Sequence, residues 1–125
     1  MSRVQTIAAY KAADLFLFTS NIECSPIVLF ESMAAKTPFL STDVGNASEI
    51  AQWSNSGEIL PTLVDSGCMV HVEIKKAVQA LEEIIQNKDK RHQMASDGYL
   101  AWKNRFTWEG ITKQYEMLYL DLLRQ

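Results

Sequence analysis

Residues 14–43, DLFLFTSNIECSPIVLFESMAAKTPFLSTD, decide the fold. The apolar run Leu15–Phe18 has the length of a buried strand, and a polar turn, Thr19–Asn21, follows it. Ile27–Ala35 repeats its apolar residues at helical spacing. Pro38 then introduces a second short apolar run, Phe39-Leu40. Strand, loop, helix and strand in this order describe one parallel βαβ unit.

The joint between loop and helix carries the chemistry. Pro26 suits a first helical turn, where its missing N–H has no partner to lose, and Ser25 before it suits an N-cap. The backbone N–H groups of Ile27 and Val28 would then point out of the helix start and, with the helix dipole, form an anion site. In an open parallel sheet such a joint lies at the carboxyl end of a strand, where ligands bind. Two acids flank it, Glu23 before the helix and Glu31 in its second turn. Carboxylates beside a phosphate repel it unless they bind something else, and a vicinal diol offers each of them two O–H donors. A diphosphate with sugar hydroxyls at both ends, that is a nucleotide sugar, meets both needs.

Seven residues separate Glu23 from Glu31, and Ser32-Met33-Ala34-Ala35-Lys36-Thr37-Pro38, Asp43-Val44-Gly45-Asn46 and Ser48-Glu49-Ile50 follow. As a set this resembles the donor-binding half of the retaining glycosyltransferases of family 4, which have the GT-B architecture. The pattern there runs strand, E-x7-E, E-A-M-A-x-G-x-P, strand, and a Gly-rich loop ending in Glu-Ile. A fainter likeness continues through Phe106, Trp108 and the tyrosines after them. The resemblance implies that Glu31 binds the ribose hydroxyls of the donor nucleotide. It implies that Glu23 binds hydroxyls of the donor sugar and faces the reacting carbon, as the catalytic residue. Backbone N–H groups near Ser25, Ile27 and Val28 would hold the sugar and the diphosphate. No cofactor and no metal is implied beyond the nucleoside diphosphate sugar itself. The acceptor, a glycan or a lipid-linked hydroxyl, would be bound by an N-terminal domain that this chain lacks, so the isolated chain is expected to be inactive.

Three departures from that pattern stand out. Cys24-Ser25-Pro26 occupies the place of Gly-Phe-Gly, and Pro26 has no N–H to offer. Lys36 occupies the place of a helix-ending Gly, so it must take a left-handed conformation or the helix must end otherwise. The basic pair that neutralises the diphosphate would lie before Met1, and Arg3 is given no role.

Outward from this unit, Val4–Ala13 reads as a short helix, Asn46–Trp53 as another, and Gly57–Leu60 as a third strand. Thr62–His71 reads as irregular. Val72–Asn87 is an amphipathic helix with Ile74, Ala77, Val78, Leu81, Ile84 and Ile85 on one stripe. Lys88–Lys103 reads as a helix that Gly98 weakens by about 1 kcal/mol. Thr107 caps a last helix running to Leu123, some of whose apolar stripe is expected to be left uncovered. Trp53, Trp102 and Trp108 read as core or subdomain contacts, Gly45-Asn46 as a turn and cap, and His71 and His92 as solitary surface residues. The sum is a single α/β domain over 1–125: a Rossmann-like, doubly wound parallel sheet, truncated to few strands, with a helical C-terminal part.

Composition narrows the function. With 12 basic and 15 acidic side chains the net charge is −3, and no basic run extends past Lys88–Arg91, which argues against a nucleic-acid partner. No apolar stretch reaches the length of a membrane span, and residues 1–14 lack the apolar core of a secretion signal. A cytoplasmic address with reduced Cys24 and Cys68 is the expectation, with peripheral membrane association open to the full-length parent. A non-catalytic interaction or receiver-like module is the competing reading. It lacks its acidic pocket, since Asp14 and Asp43 do not form one with a downstream lysine. A sugar epimerase or phosphorylase on the same fold is a third.

Overall fold

The computed structural model describes residues 1–124. Three parallel strands, β1 (Phe16–Phe18), β2 (Phe39–Ser41) and β3 (Gly57–Ile59), lie in the order β1-β2-β3, with Phe16 opposite Phe39 and Leu40 opposite Glu58. The crossovers are α2 (Ile27–Ala34) and α3 (Ala47–Ser54). Helix α1 (Arg3–Ala12) precedes the sheet, and α4 (Ile74–Gln86), α5 (Lys88–Arg105) and α6 (Trp108–Leu122) follow it. This is the expected α/β architecture with a helical C-terminal part.

Strand β2 is buried along its whole length, and its alternation divides the core in two. Phe39 joins Leu29 and Met33 of α2 and Ala47, Ile50 and Ala51 of α3. Leu40 faces the other way, onto Leu60, Ile84 of α4 and Met94 of α5. Helix α5 reaches both clusters, with Met94 in one and Ala101 and Trp102 packed against the other. Gly98, between them, permits this. A Cβ there would stand 2.0 Å from Ser56 Oγ and 3.4 Å from Met33 Cγ. The glycine that lowers helix propensity is where α5 packs tightly against Ser56, the residue before β3.

The helix ends follow local chemistry. Ser2 caps α1 in a reciprocal pair with Gln5, Asn87 caps α5 and Thr107 caps α6. Helix α2 closes in a Schellman motif. Thr37 N–H donates to Ser32 O at 2.9 Å and Lys36 N–H to Met33 O at 3.0 Å. Lys36 takes φ +62°, the left-handed conformation its position demands, and its Nζ lies 4.7 Å from the Tyr99 ring centroid.

Four sequence expectations need correction. Ser25 does not cap α2: Pro26 is itself the N-cap residue, extended at ψ 94°, and no side chain bonds to the helix start. Residues 62–72 are not irregular but form a hairpin, β4 (Thr62–Val64) with β5 (Val70–Val72), so α4 begins two residues later than the reading placed it. His71 is not solitary; its Nε2 lies 2.7 Å from Asp65 Oδ2 across that hairpin. Trp108 is not a core residue, being 77% exposed. Helix α6 has no buried residue and packs chiefly on α5, so Tyr115, Leu118 and Leu122 remain in water, as expected for part of its stripe.

Candidate functional site

The site lies at the carboxyl end of β1. The loop from Thr19 to Ser25 leaves the strand there and is held by three neighbours. Thr42 Oγ1, at the matching end of β2, donates to Ser20 O at 2.6 Å. Asn21 exchanges two bonds with Val70 of the hairpin: its Nδ2 donates to Val70 O at 2.6 Å, and Val70 N–H donates to Asn21 O at 3.0 Å. Gly45, at φ +55°, lies against the Cys24 and Glu23 backbone so tightly that a Cβ would sit 2.2 Å from Cys24 O. The turn expected at Gly45 therefore also supports the acid-bearing loop.

Within the loop, Glu23 is exposed and its Oε1 accepts from Ser20 Oγ at 3.0 Å. Cys24 and Ser25 are exposed, Pro26 is buried, and α2 starts at Ile27. The N–H groups of Ile27 and Val28 belong to the first turn, where helical geometry supplies no acceptor, and no side chain caps them.

Helix α1 touches both β1 and α2. Tyr10, near its end, accepts from Thr37 Oγ1 at 2.6 Å through its carbonyl and sets its ring edge-on to Phe16 at 5.1 Å. In the first turn of α1, Arg3 Nη1 donates to Glu31 Oε1 at 2.6 Å. A groove of about 550 Å³ opens between α1, α2 and the α5–α6 corner, walled by Tyr10, Phe30, Trp102, Phe106 and Trp108. Of the site residues read from sequence, Ser25, Ile27 and Glu31 line this groove, together with Arg3. Glu23 and Val28 do not line it. Glu23 stands on the loop ahead of the helix start, and Glu31 lies one turn beyond it on the groove side. The uncapped amides sit between the two acids along the chain.

Arg3 is the site residue that sequence reasoning left without a role. Its partner lies 28 positions away, and neither spacing nor composition signals such a pair. Gly45 did carry a signal, a glycine in a turn, but its close approach to Cys24 is a tertiary fact.

Burial raises the Tyr10 phenol above its ordinary pKa; the Glu31 carboxylate raises it further and the Arg3 guanidinium works the other way. The signs give a test of the pair without any ligand. Removing the negative charge with Glu31→Gln should lower the Tyr10 pKa, and removing the positive charge with Arg3→Gln should raise it. Following the tyrosine ring resonances against pH in each variant checks this. No change in either would mean the pair is not beside Tyr10 in solution. Elsewhere, the bond from His71 and the N–H groups of Met69 and Gly67 hold the exposed Asp65 carboxyl below its ordinary range.

Among the described residues no group of three or more His, Cys, Asp or Glu is placed to hold a metal ion, and no helix is long and apolar enough to cross a membrane.

Comparison with known proteins extends the picture. The chain is 30% identical over 112 residues to N-acetyl-alpha-D-glucosaminyl L-malate synthase of Bacillus anthracis, covering 90% of this chain and 27% of that protein. It is 31% identical over 109 residues to a lipopolysaccharide core biosynthesis glycosyltransferase of Rhizobium meliloti, covering 86% and 29%. Among solved structures, the sucrose-phosphate synthase of Thermosynechococcus elongatus superposes with a TM-score of 0.72 at 21% identity, over 93% of this chain and 27% of that one. The chain thus spans about a quarter of the length of these relatives, and its fold is that of a fragment of a GT-B glycosyltransferase. Residues 1–101 match the family described as glycosyl transferases group 1, and the chain, with its two acids astride an uncapped helix start, belongs to that family.

Proposed function

We propose that this chain is the nucleotide-sugar-binding part of a retaining glycosyltransferase of family 4. The observation that carries the reading is the uncapped start of α2: two free amides, at the carboxyl end of a parallel sheet, between Glu23 and Glu31. The Ile27 and Val28 N–H groups and the positive end of the helix dipole would hold the diphosphate. Glu31 would accept from the ribose hydroxyls. Glu23, kept in place by Ser20, would accept from hydroxyls of the donor sugar and face the reacting carbon. Ser25, exposed beside the amides, has its N–H and its hydroxyl available to the same ligand. The amide cradle stabilises charge that develops on the leaving diphosphate, which is the electrostatic role such donors play in transfer reactions.

In the whole protein the reaction would move a hexose to a hydroxyl of a glycan or lipid-linked acceptor, with the anomeric configuration kept. A second domain would bind that acceptor, and a cytoplasmic location belongs to the same proposal. The receiver-like alternative has no support in the site, whose acids flank an amide turn instead of clustering at strand ends.

Saturation-transfer NMR with a panel of uridine, adenosine and guanosine diphosphate sugars tests the reading. Contacts are expected at the ribose and sugar protons of at least one donor. Glu31→Ala should weaken that donor about tenfold or more, the loss of one or two hydrogen bonds to a charged group, and should remove the ribose contacts first. Unchanged ribose contacts in Glu31→Ala would sink the assignment. Robust transfer by this chain alone would sink the division of labour.

A further inference from the structure

Glu31 sits largely out of water, with 25% of its side chain exposed, and its Oε1 takes the one bond from Arg3. Among the described residues the Arg3 guanidinium has no other hydrogen-bond partner and Glu31 Oε2 has none. A guanidinium has five N–H donors in a fixed fork, so several remain. The pair therefore presents an open carboxylate oxygen and open N–H donors side by side at the rim of the groove. A sugar hydroxyl both donates and accepts. A carboxylate alone satisfies only the donating half, whereas a carboxylate held against a guanidinium satisfies both halves for each hydroxyl of a vicinal diol.

We propose that the ribose-binding unit of the donor site is the Arg3–Glu31 pair and not Glu31 alone, with Arg3 a binding residue that makes the site select ribonucleotides over 2′-deoxyribonucleotides. This rests on the reading above that Glu31 meets the ribose. A merely structural role for Arg3 is weak in physical terms, because an exposed ion pair adds little to stability, and Arg3 is 65% exposed. A site built to bond a hydroxyl, by contrast, rejects the analogue that lacks it, because its own polar groups are then left unpaired.

The experiment titrates the 125-residue chain, 15N-labelled, with UDP, ADP and GDP and with their 2′-deoxy counterparts, reading dissociation constants from amide shifts. For the nucleotide that binds best, the wild type is expected to prefer the ribose form about tenfold, the effect of one or two hydrogen bonds in a partly open site. Arg3→Gln should bring that ratio close to one with the deoxy affinity little changed. Arg3→Lys, which keeps the charge but loses the fork, should restore part of it. If Arg3→Gln keeps the tenfold ratio while Glu31→Gln loses it, the proposal for Arg3 is overturned and the role of Glu31 stands. If Glu31→Gln also keeps the ratio, or the wild type binds none of the nucleotides or shows no preference, both fall together.

Discussion

Gly45→Ala is expected to destabilise the protein by about 3 kcal/mol and to displace the Glu23 loop. Two independent costs add. At φ +55° an alanine carries a left-handed strain of roughly 1–2 kcal/mol. Its Cβ would also stand 2.2 Å from Cys24 O, 2.6 Å from Cys24 C and 2.9 Å from Glu23 O. These are backbone atoms, which cannot rotate aside, so the loop itself must move. That loop is the stretch between β1 and the amides of Ile27 and Val28, and a shift there carries Glu23 with it. Urea unfolding reads the stability, and amide spectra read the displacement at Cys24, Ser25 and Ile27. Gly67→Ala is the control, since its Cβ would meet only Asp65 Oδ1, at 3.3 Å. An unchanged unfolding midpoint with unshifted Cys24 and Ser25 amides in Gly45→Ala would remove the close approach from the account of the site. A loss of donor binding greater than the loss of stability explains would show that the loop position is part of the binding geometry.

Gly98→Val is expected to be of the same size, about 3 kcal/mol at the upper end for overpacking. For a domain whose whole stability is of order 5–15 kcal/mol, this is a large fraction. In an isolated helix the exchange would be favourable by a few tenths of a kcal/mol, because glycine is the poorer helix former. Tertiary packing reverses the sign. A Cβ at 98 would come within 2.4 Å of Ser56 Cβ as well as 2.0 Å of its Oγ, and Ser56 is fully buried, so no rotamer clears it. The Ser56 hydroxyl has no hydrogen-bond partner, which marks how closely α5 seals that end of β3. Ser56→Gly should therefore recover much of the loss in the double variant, a coupling that a double-mutant cycle measures directly. Equal costs for Gly98→Val with and without Ser56 would place the clash elsewhere.

Both glycines illustrate what a linear reading sees and what it misses. Gly98 lowered the expectation of a helix, since propensity is a local quantity. The helix forms regardless, because Met94, Ala101 and Trp102 bury apolar area on both sides of it. Gly45 read as a turn residue, which it is, but its contact with Cys24 joins two segments 21 positions apart. Ser25 read as an N-cap because Ser and Pro in that order fit the local rule. The structure puts Pro26 in the capping place instead, and this leaves the amides of Ile27 and Val28 without a side-chain acceptor. The missed hairpin has a different cause. Its strands have three residues each; Leu63 and Val64 of β4 are both exposed, and the alternation Val70-His71-Val72 of β5 is too short to mark a strand by itself. It is held by pairing within itself and by Asn21, and neither leaves a periodic trace.

The chain's own letters were enough for the βαβ unit, the spacing of Glu23 and Glu31, and the helical C-terminal part. Each of these was read from patterns local to a strand, a loop or a helix, where backbone geometry turns spacing into place. Folding alone decided that Arg3 would close on Glu31, that Glu31 would line the groove while Glu23 stood apart from it, and that Gly45 and the β4–β5 hairpin would hold the acid-bearing loop. Those outcomes join residues brought together by the packing of whole elements, and no local propensity encodes which side chains two distant segments will set against each other.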